Sequence, residues 1–219
     1  MMSAKPIIPA WASVPIEECG EPLVDCAGYG FVLDPQYFTQ GLSSEQRMYA
    51  RKSVAEKLSN IQKRLAKYRF KIWDAFRPRE VQMKLYARLL DSLKAAHPDW
   101  DDFALEGEAT KYVNKGSDPA VLPPHATGGT LDLTLVDAEG NELNMGTAFD
   151  HFGLDAASLY FENGGNDKAK ENQKMLRGSM IGEGFRAYEH EWWHYEYGTQ
   201  RWAFEYKKSA ALYGSAELL

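Results

Sequence analysis

Five histidines occur in the chain, and their neighbours separate them. His125 opens the run His125-Ala126-Thr127-Gly128-Gly129-Thr130-Leu131-Asp132. Its two glycines permit a close turn, and the strand that follows delivers Asp132. An imidazole and a carboxylate brought together this way are a ligand pair suited to zinc, and they are equally a hydrogen-bonded pair in a loop. His190-Glu191-Trp192-Trp193-His194 has the letters of the short helical zinc motif. In that motif two histidines one turn apart hold the metal, and the glutamate between them is the general base. Its surroundings point elsewhere: Trp192 to Tyr197 is bulky and aromatic and runs toward Gly198, a strand pattern. Positions i and i+4 of a strand lie about 13 Å apart, too far to share one ion. As a strand, the segment keeps His194 as a candidate and leaves His190 outside the site. His97, before Pro98, suits a helix end where a cation favours the dipole, and His151 lies in the loop-like Asp150-His151-Phe152-Gly153.

These groups need a scaffold to position them. Residues 1–42, with prolines at 6, 9, 15, 22 and 35, read as an irregular arm that Gly30 to Leu33 tacks onto the body. A helix is expected from about Ser44 to Tyr68, capped by Ser43 or Ser44, with Val54, Leu58, Ile61 and Leu65 on one face. Phe70 to Phe76 alternates as a strand and stops at Arg77-Pro78, because a residue before proline leaves the α region. Pro78 then starts a second long helix to about Ala96, which sets Arg77 at a strand-to-helix junction. Residues 99–130 read as a long loop region with room for one short strand or helix. Leu131 to Val136 is a strand closed by the turn Asp137 to Asn141, a hairpin signal. Met145 to Phe152 reads as an ordered loop or strand, and Asn166 caps a short helix to about Arg177. Glu191 to Tyr197 and Trp202 to Tyr206 read as two antiparallel strands joined at Gly198.

Composition bounds the function. A chain of 219 residues suits one domain, and about 70% of its extended surface is buried on folding, so a core needs no metal or disulfide. The net charge of −6, with no basic run, removes the case for nucleic acid as the main partner. No apolar stretch reaches the eighteen or so residues a transmembrane helix needs, so no membrane partner is expected. Met1 to Pro9 lacks the apolar segment of a secretory signal, which makes the cytoplasm the expected location, or the periplasm if the true start differs. Cys19 and Cys26 are too few for a zinc knuckle and are expected as free thiols, although their spacing admits a small loop disulfide in an exported chain. Six tryptophans point to a large core or an aromatic-walled pocket.

Four segments together resemble the zinc D-alanyl-D-alanine dipeptidase family, peptidase family M15, best known from vancomycin-resistance systems. They are Asp74-Ala75-Phe76-Arg77-Pro78, His125-x-x-Gly128-x-Thr130-Leu131-Asp132, Met145-Gly146-Thr147-x-Phe149-Asp150 and Glu191-Trp192-Trp193-His194. They occur in the family's order and span about residues 74 to 197. The resemblance implies an α+β fold, a single domain over 1–219 in which a central antiparallel sheet carries the site and the two long helices pack against it. It implies one zinc ion per chain, held by His125, Asp132 and His194. Glu191 would be the general base, Arg77 would face the oxyanion, and Asp150 would bind the free amine of a small dipeptide. Glu196, Asp74 and Glu189 are candidates to orient the metal ligands, and Asp74 is also a candidate to orient Arg77. The two tryptophans are expected as packing that fixes His194 and Glu191. Two positions depart from the family pattern: Pro123 stands where a serine is common, and Thr130 where a small residue such as alanine is usual. The first removes a polar contact beside the substrate. The resemblance implies hydrolysis of D-alanyl-D-alanine, with Pro123 bearing on how strictly that dipeptide is preferred; the alternatives are a related D,D-carboxypeptidase, a wall-peptide endopeptidase, or a dipeptidase of broader D,D or L,D specificity. A metal-stabilised binding protein without turnover fits less well, since Glu191 is present.

Overall fold

Residues 130–136 alternate polar and apolar side chains through Leu135, and all seven are buried, so this strand is covered on both faces. The computed structural model describes residues 9–118 and 120–218, so the first eight residues of the amino-terminal arm lie outside the described residues. In chain order the first half comprises β1 (Leu23–Asp25), β2 (Val32–Leu33), α1 (Gln36–Thr39), β3 (Tyr49–Arg51), α2 (Lys52–Arg64) and β4 (Arg69–Asp74). Then come α3 (Arg79–Ala96), α4 (Asp102–Tyr112), β5 (Thr130–Val136), α5 (Asp167–Gly182), β6 (Arg186–Ala187), β7 (His194–Glu196) and α6 (Gln200–Glu205). The main sheet has the order β2-β4-β5-β7-β6, antiparallel except for the β2–β4 pair, and β1 pairs with β3 in a separate two-stranded ribbon.

Leu131, Leu133 and Leu135 of β5 share the main core with Phe70 and Ile72 of β4, Val54, Leu58 and Ile61 of α2, and Leu176 and Met180 of α5. Period-two alternation turns Thr130, Asp132 and Thr134 to the other face. The main core therefore covers one side of the sheet, and the other side is free to carry chemistry. A second cluster lies apart, where Val81, Leu85, Tyr86 and Leu89 of α3 meet Ala109 and Val113, beside Tyr37.

Several expectations from the sequence need correction. The first long helix begins at Lys52, because Tyr49–Arg51 pairs with β1. Its amino terminus is satisfied by Glu21, whose carboxylate accepts from Ser53 N at 2.9 Å and Ser53 Oγ at 2.5 Å, so neither Ser43 nor Ser44 caps it. Of the two long helices expected on the sheet, α2 packs in the main core with it, but α3 packs on α4, and α5 joins α2 instead. Helix α4 occupies a region read mostly as loop and is capped by Asp101, which accepts from Ala104 N at 2.8 Å. Trp202 to Tyr206 is largely α6, not a strand, because Thr199 Oγ1 accepts from Trp202 N and starts a helix. The strand partners of β7 are β5 and β6. The arm is less irregular than expected, since β1, β2 and α1 lie in it, and Val32–Leu33 does attach it to the sheet. Cys19 is exposed, Cys26 is buried, and both are free thiols.

Candidate active site

Strand register assembles the site. Asp74 of β4, Asp132 of β5 and His194 of β7 stand directly opposite one another on three adjacent strands. Opposed residues in such pairs hold their Cβ atoms about 5 Å apart. The β4–β5 register shifts between Ile72 and Asp74, and this bulge brings Asp74 opposite Asp132. His125 arrives from a 3-10 turn, Pro124–Thr127, that ends at Gly128 in the left-handed region with φ +72°. Thr127 Oγ1 donates to the Pro124 carbonyl and accepts from Gly129 N, while Arg51 Nε holds the Thr127 carbonyl at 2.8 Å. A Cβ on Gly129 would strike the Tyr197 carbonyl, which explains glycine there.

His125, Asp132 and His194 are buried, and each offers a donor atom within 4.8 Å of the others. Their outer contacts fix the imidazoles. His125 Nδ1 lies 2.8 Å from the Ala75 carbonyl and 2.9 Å from the Asp74 carboxylate, so it carries the hydrogen. His194 Nε2 lies 3.1 Å from Glu196 Oε1 and donates to it. The inner nitrogens, His125 Nε2 and His194 Nδ1, are thereby both left as lone pairs. They lie 3.4 Å from each other, and 3.3 Å and 3.1 Å from the two Asp132 oxygens. Three acceptors pointing into one place require a cation, and two imidazoles plus a carboxylate are a donor set suited to zinc. In the metal-free state a proton answers the same demand. Burial and Arg77 oppose protonation of His125, yet the Asp132 and Asp74 carboxylates push its pKa up, while Asp132 itself is held far below the carboxylate range by both histidines despite burial.

The orienting partners are thus Asp74 for His125 and Glu196 for His194. Glu196 is fully buried and also accepts from Thr199 Oγ1 at 2.5 Å and Arg186 at 3.3 Å; despite burial, these contacts to His194 and to cations hold its pKa near 2. Glu189, the third candidate, pairs with Arg186 at 2.7 Å and is not a ligand partner. Asp74 serves two roles, since it also accepts from Arg77 Nε at 2.9 Å.

Glu191 stands in the turn before β7, its Oε2 3.7 Å from His194 Nδ1. Burial raises its carboxyl to about 7. Arg77 is buried in the strand-to-helix junction and held on several sides: beyond Asp74, it donates to Gln82 Oε1 at 2.8 Å, and Nη2 lies 3.3 Å from Asp132 and 3.4 Å from the Tyr37 hydroxyl. The Tyr37 hydroxyl in turn donates to Asp150 at 3.2 Å. Asp150 has φ +57°, and burial and the Asp132 charge raise it to about 7, against the pull of Arg77 and Tyr37. Its loop is tied down by α5, where Asn172 and Gln173 donate to the Asn144 and Met145 carbonyls. Glu191, Arg77, Tyr37 and Asp150 line one cleft with His125, Asp132 and His194, and Tyr112, Val113 and Phe152 complete its wall.

Every sequence-assigned site residue is therefore in this cleft. His190 is exposed on the turn, His151 bonds Asp155 and His97 stacks on Trp100, so none of the three joins the site. Trp192 is packing, its Nε1 donating to Thr147 Oγ1 at 2.8 Å, whereas Trp193 also lines the cleft. Tyr37 and Gln82, which orient Arg77, went unnoticed in the sequence. Gln82 had a local signal, four residues beyond Pro78 on the helix that Arg77 precedes; Tyr37 had none.

The chain is similar in sequence to proteins of one family. The family profile described as "D-ala-D-ala dipeptidase" matches residues 32–211. A D-alanyl-D-alanine dipeptidase of Synechocystis is 25% identical over 94% of this chain and 96% of its own length. The enzyme of that name in Enterococcus faecalis is 32% identical over 68% of this chain and 73% of its own. A vancomycin-resistance D,D-pentapeptidase, VanY, solved with Zn(II), superposes with a TM-score of 0.47 at 16% identity, covering 92% of this chain and 96% of that one. With the matched profile spanning most of its length and the His-Asp-His set in place, the chain belongs to the M15 family of zinc D-Ala-D-Ala dipeptidases and is a zinc-dependent metallopeptidase.

Proposed function

We propose that the chain hydrolyses the D-alanyl-D-alanine dipeptide to two D-alanines, with Glu191 as general base, Arg77 facing the oxyanion and Asp150 holding the substrate's ammonium group. The observation that carries this is a pair of half-buried carboxylates flanking the ligand set: Glu191 beside His194, and Asp150 linked to Asp132 through Tyr37 and Arg77. Zinc, when bound, supplies a Lewis acid that polarises a carbonyl and brings the pKa of water toward 7. Glu191 takes the proton of the attacking water and returns it to the leaving amine. A carboxyl raised to about 7 is suited to both transfers near neutral pH. Arg77 is held by Asp74 and Gln82 before substrate arrives, so its donors need no rearrangement as negative charge grows on the carbonyl oxygen. Among the described residues Asp150 has one hydroxyl donor and no ion-pair partner, and an α-ammonium would supply the missing charge.

An internal residue of a longer peptide presents an amide at that point and leaves Asp150 uncompensated, which selects against wall peptides. The test compares zinc-loaded enzyme on D-Ala-D-Ala and on its N-acetyl derivative. Two D-alanines per free dipeptide are expected, with kcat/KM for the acetylated compound lower by about a thousandfold or more. Comparable cleavage of both would identify a carboxypeptidase instead.

A further inference from the structure

Three arginines surround the ligand set, and their donors are used very differently. Arg77 donates to Asp74, Gln82, Tyr37 and Asp132. Arg186 donates to Glu205, Glu196 and Glu189. Arg201 makes no side-chain hydrogen bond among the described residues: its Nε is buried without a partner, and its nearest acid, Glu196, lies 3.6 Å from its Nη1, beyond hydrogen-bonding distance. Glu196 is already committed to His194, Thr199 and Arg186. The Arg201 guanidinium is gripped instead between two rings, with Cζ 4.8 Å from both Trp11 and Tyr188.

Arg201 lines the same cleft as Glu191 and Asp150, and its side chain is 17% exposed. Among the described residues lining that cleft, Arg77 and Arg201 are the two with a permanent positive charge. A dipeptide zwitterion brings its own carboxylate into a cleft already holding Asp132, Asp150 and Glu191. That carboxylate needs a cation with uncommitted donors, and four of the five Arg77 N–H groups are placed on Asp74, Gln82, Tyr37 and Asp132, which leaves one for the oxyanion. From this we infer that Arg201 anchors the α-carboxylate of the substrate's carboxy-terminal residue, an assignment that rests on the dipeptidase activity proposed above. A planar fork prevented from swinging by two aromatic faces is well matched to a two-point carboxylate contact. Trp11 belongs to the amino-terminal arm, and Gln200, next to Arg201, fastens that arm by donating to the Ala12 and Val14 carbonyls. The arm therefore positions a specificity residue.

The experiment measures KM for D-Ala-D-Ala and for its carboxy-terminal carboxamide on zinc-loaded wild type, Arg201→Gln and Arg201→Lys, with zinc content determined for each protein. Wild type is expected to favour the carboxylate by about tenfold or more, with the ratio collapsing toward one in Arg201→Gln. Arg201→Lys keeps the charge beside Glu196 but loses the fork, and the ratio should fall by about threefold or more. A wild-type ratio preserved in either zinc-containing variant overturns the assignment. Absence of turnover of the dipeptide by wild type refutes the dipeptidase activity itself and takes the anchor with it.

Discussion

Glu196 is where the account of the metal site is most exposed to test. It is fully buried and accepts a hydrogen bond from His194 Nε2 at 3.1 Å, which leaves Nδ1 as the lone pair facing Asp132. In Glu196→Gln an amide oxygen still accepts that bond without the charge. Bonds to charged groups are about twice as strong as neutral ones, so about 1 kcal/mol is lost, or about fivefold in zinc affinity. Glu196→Ala removes the acceptor and frees the ring to take either tautomer, for which a loss of about 10- to 100-fold is expected. Stability falls further in the alanine variant, since the His194 N–H and the Thr199 hydroxyl both lose a buried acceptor. Arg186 keeps Glu205 and Glu189, so its charge is not stranded, and about 3 kcal/mol is the expected loss. Chelator competition gives the affinities. Thermal unfolding with and without zinc separates the two effects, because the zinc-linked part of stability follows the ratio of free metal to its dissociation constant. Wild-type zinc affinity in both variants would refute the idea that the carboxylate sets the His194 tautomer.

Gly146 has φ +94°, and a Cβ there would run into the Phe161 ring, so Gly146→Ala should cost about 1–3 kcal/mol by denaturant unfolding and raise KM by loosening the loop that carries Asp150. Burial raises the Asp150 carboxyl from 3.8 to about 7, so the folded metal-free chain holds a proton there that the unfolded chain has released. Stability contributed by that proton is complete below pH 4 and lost as pH rises through 7; Asp150→Asn should flatten this part of a pH–stability curve and be more stable than wild type at pH 8. Burial pushes the Cys26 thiol up to about 12, whereas Cys19 is exposed, so a thiol reagent should find one fast group in the native protein and two in denaturant.

What the sequence could reveal depended on how local the cause was. The strand 130–136, the helix after Pro78 and the Asn166 cap each have their reason within a few residues, and all three occur at those places. The start of α2 does not, because Glu21, which satisfies its first turn, lies 32 residues away from Ser53 and helical spacing alone ran on into β3. Trp202 to Tyr206 alternates as a strand would, and only the Thr199 cap, present in the sequence and overlooked, says helix. Strand β6 is two residues long and has no pattern to read. The ligand set His125, Asp132 and His194 was legible through the four family segments, and the strand reading of β7 correctly excluded His190. Which carboxylate serves which histidine was not legible, since Asp74 and Glu196 are selected by a bulge and by sheet register. The free donors of Arg201 emerge only when every neighbouring acid is already assigned.

The most direct test of the central claim measures D-alanine released from D-Ala-D-Ala by zinc-loaded wild type, by the chelated protein and by Glu191→Ala, with zinc content assayed alongside. One zinc per chain and turnover lost on chelation are expected. In Glu191→Ala, zinc should be retained while kcat falls by about a thousandfold or more, as expected when the proton-transfer group is removed. Turnover that survives chelation, or a zinc-loaded Glu191→Ala with wild-type kcat, would contradict the mechanism.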